Sequence, residues 1–175
     1  MIPEAQARRL IDALLMQAGW HVCNVGQVDI HAHSGLAIRE FPLSPGHGVA
    51  DYLLYVNGKA CGVIEAKKLG TTLKGVEVQT DRYGQGLPQS LPAWQRPLPF
   101  LFESTGVETQ FTNGLDPLPR SRALFAFYRP NLLAQWLAHK PALGRAAANE
   151  EPQTFLGRLR ELPPLVTQWA TMWSS

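Results

Sequence analysis

Two apolar runs, residues 52–56 and 60–64, flank an Asn-Gly pair in the middle of the chain. Strand-like runs on either side of Asn-Gly are the strongest short-range signal for a β-hairpin. Three charged residues, Asp51, Glu65 and Lys67, stand beside these runs, where the strands are expected to be buried. Because a buried charge is costly unless it is paired or binds a metal, the pattern predicts charges that serve one another or an ion.

The remaining apolar positions predict a sheet with helices around it. After Pro3, apolar residues recur at helical spacing up to Gly19, which ends that helix; they are Ala7, Leu10, Ile11, Leu14, Leu15 and Ala18. Further helices are predicted over residues 73–83 and 131–139, strands over 20–28, 36–43, 100–104 and 123–128, and a peripheral hairpin over 107–114. This order of elements predicts the α/β (α+β) class, with a mixed central β-sheet flanked by helices.

The register of the central hairpin decides whether its two acids meet. With the two-residue turn Asn57-Gly58 alone, Asp51 and Glu65 point to opposite sides of the sheet. A three-residue loop that also takes in Lys59, or a bulge within a strand, pairs the two acids instead. Directly opposed residues have β-carbons about 5 Å apart, close enough for two carboxylates to share one cation. We therefore predict that loop or a bulge.

A divalent cation with oxygen ligands fits this arrangement. The predicted metal ligands are the carboxylates of Asp51 and Glu65 and the backbone carbonyl of Ala66. A bound Mg²⁺, for which Mn²⁺ can substitute, lowers the pKa of a water and stabilises charge on a scissile phosphate. Lys67 lies on the same face as Glu65 and would orient the water or stabilise the transition state. The predicted catalytic residues are Asp51, Glu65 and Lys67.

A structural ion pair explains the same residues without any reaction. In that interpretation Glu65 bonds to Lys67, and Asp51 caps a loop. The next predicted helix carries Gln79 and Tyr83, which are four residues apart and share a face. They either brace the metal ligands and contact DNA as accessory residues, or belong to an amphipathic helix in which Tyr83 is half buried.

Composition limits the function without choosing it. The chain has 175 residues, 45% hydrophobic and 17% charged, which fits one folded domain. A net charge of +2 means that any DNA-binding surface is local. No Gly-x-x-x-x-Gly-Lys-[Ser/Thr] sequence occurs, so we expect no ATP site in this chain. The two cysteines form no zinc motif, and no signal peptide or membrane-spanning run is evident, so we expect a cytoplasmic protein with no membrane partner.

The spacing of these residues resembles a known nuclease superfamily. Asp51, the run Glu65-Ala66-Lys67 and the pair Gln79 and Tyr83 are similar to the PD-(D/E)xK core with its Q-x-x-x-Y extension. Residues 50–55, 62–68 and 102–109 resemble the N-terminal endonuclease domain of the R (restriction, motor) subunit of type I restriction-modification enzymes. The resemblance covers residues 3–140, and Ala50 stands where the superfamily name has proline.

The resemblance implies a magnesium-dependent endonuclease that cuts double-stranded DNA. It implies ATP-driven translocation by helicase motor domains outside this chain, and a complex with methyltransferase and specificity subunits. It also implies that Glu4 is an extra acidic residue near the metal, although an acid at a helix N-terminus is explained equally by the helix dipole.

The resemblance also suggests how the chain is organised. Residues 1–140 are expected to form the endonuclease domain, and residues 141–175 a linker and helical tail leading toward the absent motor. Two other functions remain open at this point. One is a non-catalytic DNA-binding or docking module with the same fold, and the other is a free-standing nuclease of the DNA-repair type.

Overall fold

Seven strands form one mixed β-sheet within the described residues, and their order in the sheet is their order along the chain. The computed structural model describes residues 4–68, 70–71, 73 and 85–139, which belong to a unit spanning Met1–His139. The elements are α1 (Glu4–Gln17), β1 (His21–Asn24), β2 (Gly35–Pro42), β3 (Val49–Val56), β4 (Lys59–Ala66), β5 (Phe100–Ser104), β6 (Thr109–Asn113), β7 (Arg122–Leu124) and α2 (Pro130–Ala138).

Both parallel and antiparallel pairs occur in this sheet. β1 pairs in parallel with β2, and β4 pairs in parallel with β5. The other neighbouring strands are antiparallel. The predicted α/β class with a mixed sheet flanked by helices is confirmed.

The helix α1 packs on the sheet through one apolar stripe. Ala7, Ile11 and Leu15 are spaced four residues apart, and each is fully buried. The helix ends before Gly19, which has a φ of +88° and places its amide 3.0 Å from the carbonyl oxygen of Met16. The polar residues beside the stripe are thereby fixed at the border between helix and sheet.

Hydrophobic residues cover both faces of the sheet. One cluster joins α1 and α2 to strand residues such as Tyr52, Ile64 and Phe102, and the other lies around Leu53, Val63 and Leu101. Strands buried on both faces read as continuous apolar runs, as β3, β4 and β5 do. Charged side chains in these strands are therefore confined to their ends.

The turn of the central hairpin contains two residues. Asn57 and Gly58 have positive φ angles of 50° and 76°, the type I′ pattern that matches the right-handed twist of the flanking strands. Val56 consequently pairs with Lys59. The predicted three-residue loop through Lys59 is wrong, because the two-residue turn satisfies the twist without an additional residue.

A bulge in β4 provides the shift of register that the turn does not. Tyr55 pairs with Ala60, but Leu54 pairs with Gly62, so Cys61 is an extra residue on its strand. The Cys61 thiol is fully buried and donates a 3.5 Å hydrogen bond to the carbonyl oxygen of Leu54. The alternative prediction, a bulge within a strand, is confirmed.

The shifted register continues to the end of the hairpin. Tyr52 pairs with Ile64, and one further step places Asp51 across from Glu65. Without the bulge, this step would have put the two acids on opposite sides of the sheet. One inserted residue therefore brings together two acids that lie six and seven residues from the turn.

Two predicted strands are shorter than expected. The strand predicted over 20–28 ends at Asn24 and passes into a 3-10 turn, Val25–Gln27. The strand predicted over 123–128 ends at Leu124. Beyond it Phe127 turns into the core, where its ring centroid lies 5.6 Å from that of Phe102. Alternating apolar residues before Pro130 resembled a strand, but they are an irregular segment that anchors α2.

Several predictions fall outside the described residues. The helix predicted over 73–83, which carries Gln79 and Tyr83, is almost entirely in this group, and so is the tail 141–175. The division of the chain at residue 140 stays a prediction for the same reason. Among the described residues, no helix has both the length and the apolar character needed to cross a membrane.

Candidate active site

A polar cleft lies where β3 begins and β4 ends. It is lined by Arg8, Val49, Asp51, Glu65, Ala66, Lys67, Lys68 and Thr71. The cleft thus brings together Asp51, Glu65 and Lys67, the residues predicted to be catalytic. It does so because the bulge aligns the two strands and because Lys67 follows Glu65 by two residues.

Asp51 joins the start of β3 to the end of β4. Its Oδ2 accepts a 2.8 Å hydrogen bond from the backbone amide of Ala66, and its Oδ1 lies 2.5 Å from Nη2 of Arg8. The side chain is 16% exposed, so one part faces the cleft while both oxygens are held. These bonds fix the direction of the carboxylate before any ligand enters.

Glu65 is the more buried acid of the pair. Its side chain is 8% exposed, and its Oε1 lies 2.5 Å from Nζ of Lys67. The Lys67 backbone is fixed as well, since its amide donates a 2.8 Å hydrogen bond to the carbonyl oxygen of Ser104 on β5. Glu65 and Lys67 therefore form the ion pair that the purely structural interpretation expects, in the same cleft that the catalytic interpretation expects.

Arg8 is a site residue that the sequence did not reveal. It lies on α1 next to the buried Ala7, and its guanidinium reaches both Asp51 and Glu40. The bond from Nη1 to Oε1 of Glu40 is 2.7 Å long. The sequence feature that could have indicated Arg8 is the polar pair Arg8 and Asp12, four residues apart on the border of the apolar stripe of α1.

A polar network fixes α1, and with it Arg8, against the sheet. The hydroxyl of Tyr52 lies 2.8 Å from Oδ1 of Asp12 and 3.1 Å from the carbonyl oxygen of Arg8. Arg39 on β2 donates to both carboxylate oxygens of Asp12. Burial, followed by the hydrogen bond to Asp12, raises the pKa of Tyr52 well above its usual value, so its hydroxyl remains a donor at neutral pH.

Glu40 occupies an unusual backbone conformation. Its φ is +49°, in the left-handed region, where a side chain other than glycine costs of the order of 1 kcal/mol. Its neighbours Arg39 and Phe41 pair with Tyr52 and Ala50, so Glu40 lies across from Asp51 on β2. The strained backbone thus occurs beside the candidate site.

Glu40, Asp51 and Glu65 lie across from one another on neighbouring strands, and a fourth acid continues this row on the next strand. Glu103 on β5 pairs in parallel register with Glu65 and is 5% exposed. An acid within the apolar strand Phe100–Ser104 is a sign of a functional or paired residue, but the sequence alone did not indicate its role. The row Glu40, Asp51, Glu65 and Glu103 crosses β2, β3, β4 and β5.

The number of carboxylates in the cleft fits Mg²⁺, which needs few protein ligands, better than an ion that the protein would have to surround completely. Among the residues described, no three His, Cys, Asp or Glu side chains are grouped to hold a metal ion. Mg²⁺ usually binds through one or two carboxylates and keeps waters or substrate phosphates as its other ligands. Asp51 and Glu65 supply that number of carboxylates in one cleft.

For the other predicted site residues, the structure gives less information about position. Glu4 is the first residue of α1, and the position of its side chain is outside the description. Gln79 and Tyr83 lie outside the described residues. The backbone amide of Ala66 serves Asp51, and its carbonyl stays a predicted ligand.

Parts of this chain are similar to known proteins in sequence or in fold. Residues 28–113 match the family model described as the second domain of the type I restriction enzyme EcoKI endonuclease subunit. A solved fragment assigned to an HsdR subunit of a type I restriction enzyme from Vibrio vulnificus YJ016 is similar, with a TM-score of 0.57 and 20% identity. That likeness covers 78% of this chain and 25% of the other, so this chain spans about a quarter of its length. No curated protein matches the sequence.

The two likenesses overlap along the chain, since one covers residues 28–113 and the other 78% of the chain. The structural likeness is one of fold. The family match runs from before β2 to the end of β6 and so contains Asp51, Glu65 and Lys67. Over residues 28–113, the chain is therefore similar to the endonuclease subunit of a type I restriction enzyme.

Proposed function

We propose that this chain carries the nuclease domain of a type I restriction enzyme R subunit and hydrolyses phosphodiester bonds of double-stranded DNA. One observation carries the proposal: the Cys61 bulge puts Asp51 and Glu65 in one polar cleft with Lys67. The family match supports it, because the matched protein is named an endonuclease subunit. That match also favours an R subunit over a free-standing nuclease of the DNA-repair type.

The proposed cofactor is Mg²⁺, for which Mn²⁺ would substitute. Asp51 and Glu65 would hold it, with the backbone carbonyl of Ala66 as the third proposed ligand. When bound, the ion would activate a water and neutralise charge on the scissile phosphate. Two carboxylates leave room for phosphate oxygens among its ligands, as in other sites where Mg²⁺ meets a phosphorylated substrate.

The protein groups have separate roles in this proposal. The Ala66 amide keeps Asp51 directed into the cleft, which preorganises the site. Lys67 is held beside Glu65, so its ammonium is positioned to orient the attacking water or to stabilise the charge that develops on the phosphate. Lys68 lines the same cleft and offers a further positive charge to the DNA backbone.

The wider assembly belongs to the proposal as well. Motor domains of the same subunit would supply ATP-driven translocation, and methyltransferase and specificity subunits would supply DNA recognition. Gln79, Tyr83 and Glu4 are proposed as accessory residues. Because the proposed substrate is DNA inside the cell, we propose a cytoplasmic location for the domain. Without the motor and the subunits that would read the sequence, little binding energy is available, so the isolated chain should cut DNA slowly and without sequence preference.

The test is cleavage of supercoiled plasmid by the chain with Mg²⁺ or Mn²⁺. We expect Glu65→Ala and Lys67→Ala to abolish cleavage, because each removes a group that acts on the reacting atoms. Losses of this kind usually exceed about a hundredfold. Glu65→Gln keeps the shape of the side chain and should be equally inactive, which separates chemistry from packing.

The matched controls are Glu108→Gln and Lys59→Ala, which change an exposed acid and an exposed lysine outside the cleft. Both should cut at the rate of the wild-type chain. Circular dichroism should show that all variants keep the fold. Undiminished cutting by the Glu65 or Lys67 variant would refute the proposed site.

A non-catalytic DNA-docking module is the second candidate. It is favoured by one observation: each cleft carboxylate is already bonded to a cationic side chain, Asp51 to Arg8 and Glu65 to Lys67. Ion pairs of this kind need no metal to be satisfied. Metal-independent DNA binding together with no cleavage in Mg²⁺ or Mn²⁺ would select this candidate.

A further inference from the structure

The two cleft acids receive their positive partners from different parts of the chain. Glu65 is paired with Lys67, two residues away on the same segment, and Asp51 is paired with Arg8 from α1. Any cation that binds Asp51 must share its carboxylate with the guanidinium or displace it. Like charges within a few ångströms repel one another, so Arg8 opposes a cation in this place.

The guanidinium of Arg8 is divided between two acids. Nη1 bonds to Glu40 at 2.7 Å and Nη2 bonds to Asp51 at 2.5 Å. Loss of the second bond leaves the first in place, so Glu40 keeps the guanidinium at the border of the cleft. The Arg8 side chain is 33% exposed and the Glu40 side chain 67%, so an incoming anion can reach the fork.

A DNA phosphate is the anion that would take the released nitrogen. Arginine binds phosphate oxygens through its planar fork, and such charge-assisted bonds are stronger than neutral ones. Asp51 would then be available to the metal while Arg8 holds the backbone of the DNA. Through this exchange, binding of the metal would strengthen binding of the DNA and the reverse, although the two bind different groups.

We infer that Arg8 is a positioning residue that makes divalent-cation binding and DNA binding cooperative, by moving from Asp51 to a backbone phosphate. The inference rests on the proposed function and adds a step to it. The metal alone binds weakly, because Arg8 competes for Asp51. The metal binds more tightly once DNA is present, and by thermodynamic reciprocity DNA binds more tightly once the metal is present.

The experiment measures both sides of this coupling on the 175-residue chain. Electron paramagnetic resonance of free Mn²⁺ gives the Mn²⁺ affinity without DNA. Fluorescence anisotropy of a short labelled duplex gives the DNA affinity with and without Mn²⁺, and a gel of each sample verifies that the duplex is intact. The metal effect in Asp51→Asn is subtracted, since it comes from Mn²⁺ on the DNA itself.

We expect Arg8→Gln to tighten Mn²⁺ binding without DNA by about fivefold, the upper range for a partly exposed ion pair. The factor by which Mn²⁺ strengthens duplex binding should fall by the same amount, which a merely structural role of Arg8 would not produce. Arg9→Gln removes a neighbouring exposed charge on α1 and should leave both values unchanged. Arg8→Lys keeps the charge without the fork and should lie between wild type and Arg8→Gln.

The possible failures are distinguishable. If Arg8→Gln is folded by circular dichroism and its Mn²⁺ affinity is unchanged or weaker, the inference is overturned, while wild-type cleavage that depends on Glu65 leaves the proposed function standing. An equal effect of Arg9→Gln would also overturn it, since the change in Mn²⁺ affinity would then come from the lost positive charge and not from the contact between Arg8 and Asp51. If the wild-type chain binds no Mn²⁺ in a Glu65-dependent manner, both the inference and the nuclease proposal fall.

Discussion

The carboxylate of Asp51 accepts a 2.8 Å hydrogen bond from the backbone amide of Ala66, the residue between Glu65 and Lys67. This bond ties the first acid to the segment that carries the other two charged groups. A small movement of either strand would therefore move all three together. The candidate site depends on this alignment as much as on the identity of its side chains.

The first prediction concerns the bulge that produces the alignment. Deletion of Cys61 should return the hairpin to an uninterrupted register, which puts Asp51 and Glu65 on opposite sides of the sheet. We expect the variant to lose metal-dependent cleavage and much of its stability. Cys61→Ala keeps the residue count and should retain cleavage. Wild-type cleavage by the folded deletion variant would show that the register does not create the site.

The second prediction concerns Asp51 itself. Asp51→Asn should lower the free energy of unfolding by about 1 to 2 kcal/mol, because it weakens the bond with Arg8 and the hydrogen bond from Ala66. In thermal melts, Mn²⁺ should raise the melting temperature of the wild-type chain, since a ligand of the folded state stabilises it. The same Mn²⁺ concentration should leave the melting temperature of Asp51→Asn unchanged. An equal rise in both would place the metal elsewhere.

The third prediction concerns the close approach of β4 and β5. A β-carbon built on Gly62 would lie 2.3 Å from the carbonyl oxygen of Phe100, and that backbone cannot move without disturbing the parallel pair. Gly62→Ala should therefore destabilise the fold by roughly 1 to 3 kcal/mol, as overpacking usually does. Gly26→Ala is the control, because nothing lies within 4 Å of a β-carbon there. Urea titrations of the two variants give the comparison directly.

The fourth prediction concerns the network that holds α1. Tyr52→Phe removes the hydroxyl that bonds to Asp12 and should cost about 1 to 2 kcal/mol of unfolding free energy. Arg8 is on the same helix, so the variant should also lower the factor by which Mn²⁺ strengthens duplex binding. Tyr55→Phe is a control on the other face, in the second hydrophobic cluster. A Tyr52→Phe melt that coincides with the wild-type melt would contradict the role given to this network.

The fifth prediction concerns alkaline pH. Burial raises the pKa of the Cys61 thiol and of the Tyr52 hydroxyl above their ordinary values of 9.0 and 10.0. A group whose pKa is raised by folding stabilises the folded state fully below its unfolded pKa and loses that contribution as the pH rises above it. Stability should therefore fall as the pH rises beyond about 9. The fall should be shallower in Cys61→Ala, as measured by urea unfolding at successive pH values.

The sequence predicted most of the sheet because apolar runs and turn residues are local signals. The strand over residues 100–104 coincides with β5, and α1 ends just before Gly19 as the helical spacing indicated. The choice between a three-residue loop and a bulge could not be made locally. It depends on how Cys61 packs in the core and how Gly62 fits against Phe100, which only the folded sheet determines.

Arg8 and Glu40 were missed for a related reason. Each is an ordinary surface residue by composition, and the two are 32 positions apart in the chain. Their meeting requires that α1 pack across the ends of β2 and β3. The left-handed backbone at Glu40 also has no local signal, since glutamate rarely adopts it. Asp51, Glu65 and Lys67 were found because charge beside an apolar strand is visible in the sequence alone.

The brevity of the outer strands has a consequence for solubility. β1 has 4 residues and β7 has 3, so both margins of the sheet offer few open backbone groups. Arg122 on β7 adds a charge at one margin, where it lies 3.7 Å from Asp116. Sheets that end this way resist the addition of a strand from another molecule, the first step toward fibrous aggregates. Many copies of a domain built so can be brought close together without polymerising edge to edge.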